Sequence, residues 1–411
     1  MRPGNGSAPT SRTGCWPGCA ATTTGAVAEH AAPRTVLLAG GGHSHALVLR
    51  QWMREPLQGA RVVMVSNTAF APYSGMLPGE IAGHYRHDET HIDLARLCRA
   101  AGAQFIVAQA RGIDRAGRRL LLADGNSLGY DLLSLNIGAA PSLRVPGAAE
   151  HAVPVKPIAG FAARWDALLQ RAREGSDPLA IAVVGAGAAG VELALAIEHR
   201  LRRELRLPGQ PADRLTLHLL GAGATVLGAH PPRVQRRFMR LLAARGIQVH
   251  LGARVEAVHA GGLRASAGLE LAADEVIWVT QAGAAPWLAA TGLALDAAGF
   301  VRVEAGLRSV NEPAVFAAGD VASVDGEALE KAGVVAVRQA PVLAENLRRA
   351  LAGQPLREWK PQRQWLSLIS TGDRHAVASR GPFSAAGRWV WHWKDAIDRR
   401  FMRQFAEVSA P

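Results

Sequence analysis

Cysteine is scarce in this chain, with three in 411 residues at Cys15, Cys19 and Cys98. That is too few for a disulfide framework, so a reducing, cytosolic compartment is expected, with a fold held by its own core. Lysine is nearly as rare, confined to Lys156, Lys331, Lys360 and Lys394, so the net charge of +12 is an arginine charge. It is spread along the chain and not gathered into basic blocks with interleaved aromatics, which argues against a nucleic-acid partner. No uninterrupted apolar window of about 18 residues occurs outside glycine-broken segments, so no bilayer span is expected. Residues 1–33 contain one acid, Glu29, no long apolar run and no twin-arginine pair. They read as an unstructured leader and not as a secretory signal.

What is present is patterned glycine. Residues 35–39 form an apolar run of strand length; Gly40, Gly41 and Gly42 follow, then His43, Ser44 and His45 at the start of a helix-compatible stretch. Strand, glycine turn and helix, in that order, make the context of a dinucleotide-binding turn. Gly40 would permit the sharp bend, and Gly42 would let a pyrophosphate approach N–H groups at the positive end of the helix. His45 stands where the third glycine of such turns usually lies. On its own this match fits a tight strand–helix turn in any α/β domain equally well.

A second copy decides between them. Residues 181–184 lead into Gly185, Gly187 and Gly190, with Glu192 entering the next helix. Gly138-Ala139-Ala140-Pro141 recurs as Gly283-Ala284-Ala285-Pro286, and Gly40 to Gly138 and Gly185 to Gly283 are both separations of 98 residues. The expected fold class is therefore α/β: two Rossmann-like nucleotide-binding domains plus a C-terminal α+β segment. The first domain would be discontinuous, residues 34–150 and 290–353; the second would take residues 151–289, and the last segment residues 354–411.

Other positions refine this reading. Ser66 ends the second strand, where an acid normally bonds a ribose; the matching place in the second copy, residues 220–223, has neither acid nor arginine, so NADH and NADPH stay undistinguished. Residues 315–318 lead into Gly319 and Asp320, a carboxylate suited to a polyhydroxyl chain or, alternatively, to capping a helix. Lys331, Gly333 and Val334 open a further helix. The spacing of His84, His87 and His91 invites a metal, but a solvent-facing helix or turn is the preferred reading and no metal is expected. Half of the ten tryptophans lie beyond residue 353. There Trp389, Trp393, Ile397, Phe401 and Phe405 recur every fourth residue and predict one apolar stripe, with Lys394, Asp395, Asp398, Arg399 and Arg403 off it. Such a helix suits a membrane interface, or docking on its own domain or on a second copy in a homodimer.

Together the double fingerprint, Gly319-Asp320 and the aromatic helix resemble the two-dinucleotide-binding flavoproteins of the pyridine nucleotide-disulfide oxidoreductase superfamily, and within it the type II NADH:quinone oxidoreductases. Gly40 to His45, Pro72-Tyr73-Ser74-Gly75-Met76-Leu77-Pro78-Gly79, Val155-Lys156-Pro157 and Lys394-Asp395-Ala396-Ile397-Asp398 also look like the flavoprotein module found fused to selenide, water dikinase. The resemblance implies FAD on the first domain with its pyrophosphate at Gly40, Gly41 and Gly42, Asp320 at the ribityl and Gly138 close by. The backbone of Lys331, Gly333 and Val334 would face the isoalloxazine. NAD(P)H would sit on Gly185, Gly187 and Gly190, a quinone would accept the electrons, and the last helix would meet the inner face of the cytoplasmic membrane. Lys156 and Glu192 are the catalytic candidates, Lys156 as a cation near the flavin and Glu192 as an acid facing the nicotinamide. Each has an equally weighted alternative, a surface cation and a carboxylate offsetting a helix dipole. Sulfide or selenide oxidation would need cysteines near the flavin; none follows Gly42 along the first helix and the second domain has no Cys-x-x-Cys, so a thiol relay is disfavoured. A flavin-bound, non-enzymatic partner of selenophosphate synthesis is the third reading, motivated by the missing ribose acid.

Overall fold

A computed structural model describes residues 33–175, 177–205, 214–280, 282–362 and 364–407. The leader, with Cys15 and Cys19, lies outside the described residues.

Apolar runs without alternation suit strands covered on both faces, and Arg34–Ala39 is one, buried from Val36 onward. It lies inside an eight-stranded sheet. Five strands of that sheet run parallel, in the spatial order Gln104–Val107, Ala60–Ser66, Arg34–Ala39, Leu132–Leu135, Glu312–Ala317. Chain order therefore reverses between Arg34–Ala39 and Leu132–Leu135, a switch point where α/β folds leave a crevice at the strands' carboxyl ends. Gly40 and Asn136 stand at those two ends, after the paired residues Ala39 and Leu135.

A second, five-stranded parallel sheet repeats the plan: Gln248–Leu251, Leu215–Gly221, Leu179–Val184, Glu275–Trp278, Ala152–Pro154. Its switch point lies between Leu179–Val184 and Glu275–Trp278, with Gly185 and Val279 at the ends. The repeated Gly-Ala-Ala-Pro segments are bonded to each other. Ala140–Pro141 pairs antiparallel with Ala282–Gly283, Ala140 opposite Gly283. Gly138 has a φ of +71°, which glycine adopts without strain and which bends the chain into this crossing.

The last segment is α+β. Strands Ser367–Ser370, Ala376–Arg380 and Phe383–Gly387 form an antiparallel sheet, followed by the helix Arg388–Ala406. Ala376, Ala378, Trp391 and Phe405 join the core of the first sheet, whereas Ile369 and Val377 join that of the second. The segment thus packs against both sheets.

The single apolar stripe predicted for the final helix is not what the structure forms. Val390, Trp391, Lys394, Asp398, Met402 and Phe405 face inward, while Trp389, Trp393 and Ile397 are 59%, 42% and 42% exposed. A step of four residues overshoots a 3.6-residue turn by about 40°, so a row at that spacing winds around the helix. Its first three members face solvent and only Phe401 and Phe405 pack inside. The charges expected outside, Lys394 and Asp398, are inside, bonded to each other at 2.6 Å.

Candidate cofactor sites

The first glycine turn admits no side chain. Gly40 has a φ of +97°, and a Cβ there would lie 2.5 Å from the Asn136 carbonyl oxygen. A Cβ on Gly42 would come within 2.3 Å of Asn136 Oδ1; one on Gly41 would strike Leu94 and lie 3.0 Å from Ser66 Oγ. Ser66 is buried, its hydroxyl turned toward this turn.

The second turn divides three tasks among its glycines. Gly185, φ +127°, makes the bend, with a Cβ falling 2.3 Å from the Val279 carbonyl oxygen. At Gly190 a Cβ would meet the Gly185 carbonyl oxygen at 1.7 Å, so the helix Ala188–Leu205 packs there as only glycine allows. Nothing lies within 4 Å of a Cβ on Gly187, which leaves its backbone open to a ligand. These are the roles of the three glycines in a dinucleotide cradle.

His45 occupies in the first turn the place Gly190 has in the second. It keeps the approach by bonding rather than by shrinking: Nδ1 is 2.7 Å from the Gly40 carbonyl oxygen and Nε2 2.8 Å from Ser134 Oγ. A carbonyl only accepts, so Nδ1 carries the hydrogen and Nε2 accepts from the serine. The ring is fully buried and desolvation lowers its pKa to about 4.

Asn136, unremarked in the sequence, fastens this region. Its Oδ1 accepts from the His45 N–H at 3.3 Å, its Nδ2 donates to the Ala318 carbonyl at 2.6 Å, and its carbonyl accepts from the Gly42 N–H at 3.2 Å. The one signal was a polar residue ending an apolar strand. Gly319, φ +72°, needs to be glycine because a Cβ would lie 2.6 Å from Asn136 Nδ2. Its N–H donates to Gln339 Oε1 at 2.6 Å.

Two helix N-termini meet at this point. His43–Arg54 is capped by Gly42 and Gly333–Leu351 by Ala332, neither through a side chain. Ser44 Oγ donates to the Ala336 carbonyl at 2.8 Å and ties the first turns together. Two positive dipole ends side by side favour an anion. A Cβ on Gly333 would lie 3.8 Å from His43 Nδ1. Val334 is partly buried against the core of this sheet.

Asp320 and Lys156, from opposite parts of the chain, form an ion pair of 3.1 Å. Beside them His43 is held to a pKa of about 4, first by desolvation and then by the Lys156 charge, and its buried Nε2 has no hydrogen-bond partner. Tyr73 meets the His43 ring edge-on at 5.4 Å and stacks on Phe401 at 4.5 Å. A turn of three glycines, two helix ends without side-chain caps, a carboxylate and an orphaned ring nitrogen fit a dinucleotide with a hydroxylated linker.

Lys331 is expected to act through its backbone; its side chain donates to the Ala322 carbonyl at 2.6 Å with its charge 3.9 Å from the Phe300 ring centre. Glu192 points into the seam with the C-terminal sheet, where Oε1 accepts from the Ser370 N–H at 2.7 Å. Desolvation pushes its carboxyl up, opposed by the Lys394 charge. Lys394 donates to the Gly75 carbonyl at 2.7 Å and to Asp398, and Asp398 accepts from the Tyr73 hydroxyl at 3.2 Å. Cys98, the one cysteine among the described residues, is buried 3.7 Å from Met64 Sδ, and desolvation pushes its thiol up to about 12.

Glycine turns at the switch points of duplicated parallel sheets are the plan of a protein with two dinucleotide sites. Residues 39–342 match the family model described as pyridine nucleotide-disulphide oxidoreductase, and the chain belongs to that family, whose cofactors are FAD and a nicotinamide nucleotide. It is similar to an NADH dehydrogenase-like protein of Mycobacterium tuberculosis, 33% identical over 241 residues that cover 56% of this chain and 58% of the relative, little more than half its length. It is also similar to the alternative NAD(P)H-ubiquinone oxidoreductase C1 of Arabidopsis thaliana, 28% identical with 87% of this chain and 76% of the relative covered. Among solved structures, NDH2 of Plasmodium falciparum in complex with NADH shares the fold with a TM-score of 0.76 at 13% identity, covering 91% of this chain and 98% of the other. The sulfide:quinone oxidoreductase of Aquifex aeolicus does so with a TM-score of 0.75 at 17% identity, covering 92% of each chain.

Proposed function

We propose that this protein is an NAD(P)H dehydrogenase that uses FAD to pass electrons to a quinone. The observation that carries the reading is the open backbone of Gly187, in a second cradle whose chain crossing is bonded to that of the first. Bound FAD would supply the redox centre between a nicotinamide and the acceptor. In this reading the N–H groups of Gly41 and of the helix start at His43 and Ser44 bind the diphosphate, the Gly42 N–H being held by Asn136; Lys156 orients Asp320 toward the ribityl hydroxyls, and the Tyr73–Phe401 stack keeps water from the reacting face. His43 stays neutral and offers Nε2 to the ligand. Quinone reduction takes up protons, and Glu192, its carboxyl pushed up by burial beside the Lys394–Asp398 pair, is the group we assign to pass one on.

The quinone rests on the likeness to the Arabidopsis NAD(P)H-ubiquinone oxidoreductase and on the exposed face of the final helix. Trp389, Trp393 and Ile397 stand exposed there, and Phe383 is 79% exposed on the adjoining hairpin. Such a patch suits the surface of a membrane holding the acceptor, the inner face of the cytoplasmic membrane. No helix among the described residues is long and apolar enough to cross one.

Steady-state reduction of a short-chain soluble quinone by NADH tests the proposal. Turnover is expected, with Glu192→Gln lowering kcat about tenfold or more while KM for NADH holds. Flavin reduction by sulfide in place of either nicotinamide would overturn it, as would a flavin that no donor reduces, which would favour a non-enzymatic role.

A further inference from the structure

Glu80 lies in the short helix Leu77–Ile81, and His87 and His91 flank the last turn before the strand His91–Asp93. The chain folds back here so that one ligand atom from each of the three lies within 4.8 Å of the others. Glu80 Oε1 is 3.1 Å from His87 Nδ1. The carboxylate only accepts, so His87 Nδ1 donates to it; an ion at the ~3.3 Å edge of a tetrahedron with bonds of about 2.0–2.1 Å would take the place of that hydrogen. The His87 and His91 rings stack with centroids 3.6 Å apart. The planes lie 26° apart, so one ring would turn for both in-plane lone pairs to reach a single ion, which takes the neutral form of each.

The groups around the cluster fix its members as a metal requires. His91 Nδ1 is 2.9 Å from the His87 carbonyl oxygen, which can only accept, so Nδ1 carries the hydrogen and Nε2 keeps its lone pair. Thr90 Oγ1 donates to Glu80 Oε2 at 2.7 Å, which pins the carboxylate with its other oxygen toward His87. Carbonyl-oriented histidine and hydroxyl-oriented carboxylate are the usual outer contacts of zinc ligands. His84, grouped with these histidines by its spacing, is not part of the cluster. Its Nε2 is 2.8 Å from the Gly372 carbonyl oxygen.

We infer that Glu80, His87 and His91 form a binding site for a divalent metal of the zinc class, with a fourth coordination position open to water. The site lies outside both nucleotide cradles but is coupled to one. His91 pairs with Pro72, and the Tyr73 N–H donates to the Thr90 carbonyl at 2.8 Å, so metal binding would stiffen the segment that presents Tyr73 to His43.

Isothermal titration of the flavin-loaded, chelator-treated full chain with Zn2+ tests this. One ion per chain is expected, with affinity falling as pH is lowered from about 7.5 to about 6 because protons compete for the imidazoles. His87→Ala, at a side chain 62% exposed, should fold normally and bind at least about tenfold more weakly. Thr90→Val should also weaken binding, and His84→Ala should leave it unchanged. No uptake by the unaltered protein, or uptake that survives His87→Ala or is lost instead in His84→Ala, would overturn the inference.

Discussion

Gly187 and Gly190 are three residues apart and respond differently to a methyl group. A Cβ on Gly187 meets nothing within 4 Å, whereas one on Gly190 meets a carbonyl oxygen at 1.7 Å. Gly187→Ala should therefore leave the melting temperature unchanged and raise KM for NADH about tenfold, roughly 1.4 kcal/mol of lost approach to the pyrophosphate. Gly190→Ala should lower the melting temperature itself; thermal melts beside steady-state kinetics separate the two. His45 makes a pH prediction. The unfolded chain takes up a proton near 6.5 and the folded chain resists until about 4, so between those values the unfolded state holds more protons and stability falls as pH falls. At pH 5 this one ring should cost about 2 kcal/mol relative to pH 7.5. Urea unfolding at both pH values should show that loss, reduced in His45→Gly; equal losses in the two proteins would contradict the assignment.

The final helix shows most clearly what an element's sequence conveys and conceals. Its existence and length were legible, because apolar residues at helical spacing run unbroken by proline or glycine from Arg388 onward. Its inward face was not, because the every-fourth-residue row precesses and because Lys394 and Asp398 satisfy each other once buried. The central strands of both sheets were legible for the opposite reason: a strand covered on both faces is an apolar run, and Leu37 or Val183 has no alternative use, whereas the edge strands Gln248–Leu251 and Ala152–Pro154 carry no such run. Asn136 escaped notice because its value lies in partners at positions 45 and 318, which no local pattern announces. For the buried pair, Lys394→Met alone should cost about 3–5 kcal/mol, since it leaves Asp398 charged in a poorly solvated place. Lys394→Met with Asp398→Leu should recover most of that. A double-mutant cycle with additive losses would show the pair to be independent.

At the scale of the molecule, the chain is one plan used twice. Each parallel sheet reverses its order beside a glycine turn, and the two crossings that leave these sheets bond to each other through Ala140 and Gly283. The halves then diverge by a few residues. The first acquires Asp320, met by Lys156 from the second, and a second helix end; the second keeps all three glycines and an open Gly187. The central claim is that the first half holds a flavin which a nicotinamide on the second reduces. The most direct test is anaerobic stopped-flow absorbance of the flavin-loaded protein on mixing with NADH. Rapid bleaching is predicted for the unaltered chain, with Gly187→Ala requiring about tenfold more NADH for the same rate. A flavin that stays oxidised, or bleaching indifferent to Gly187→Ala, would contradict it.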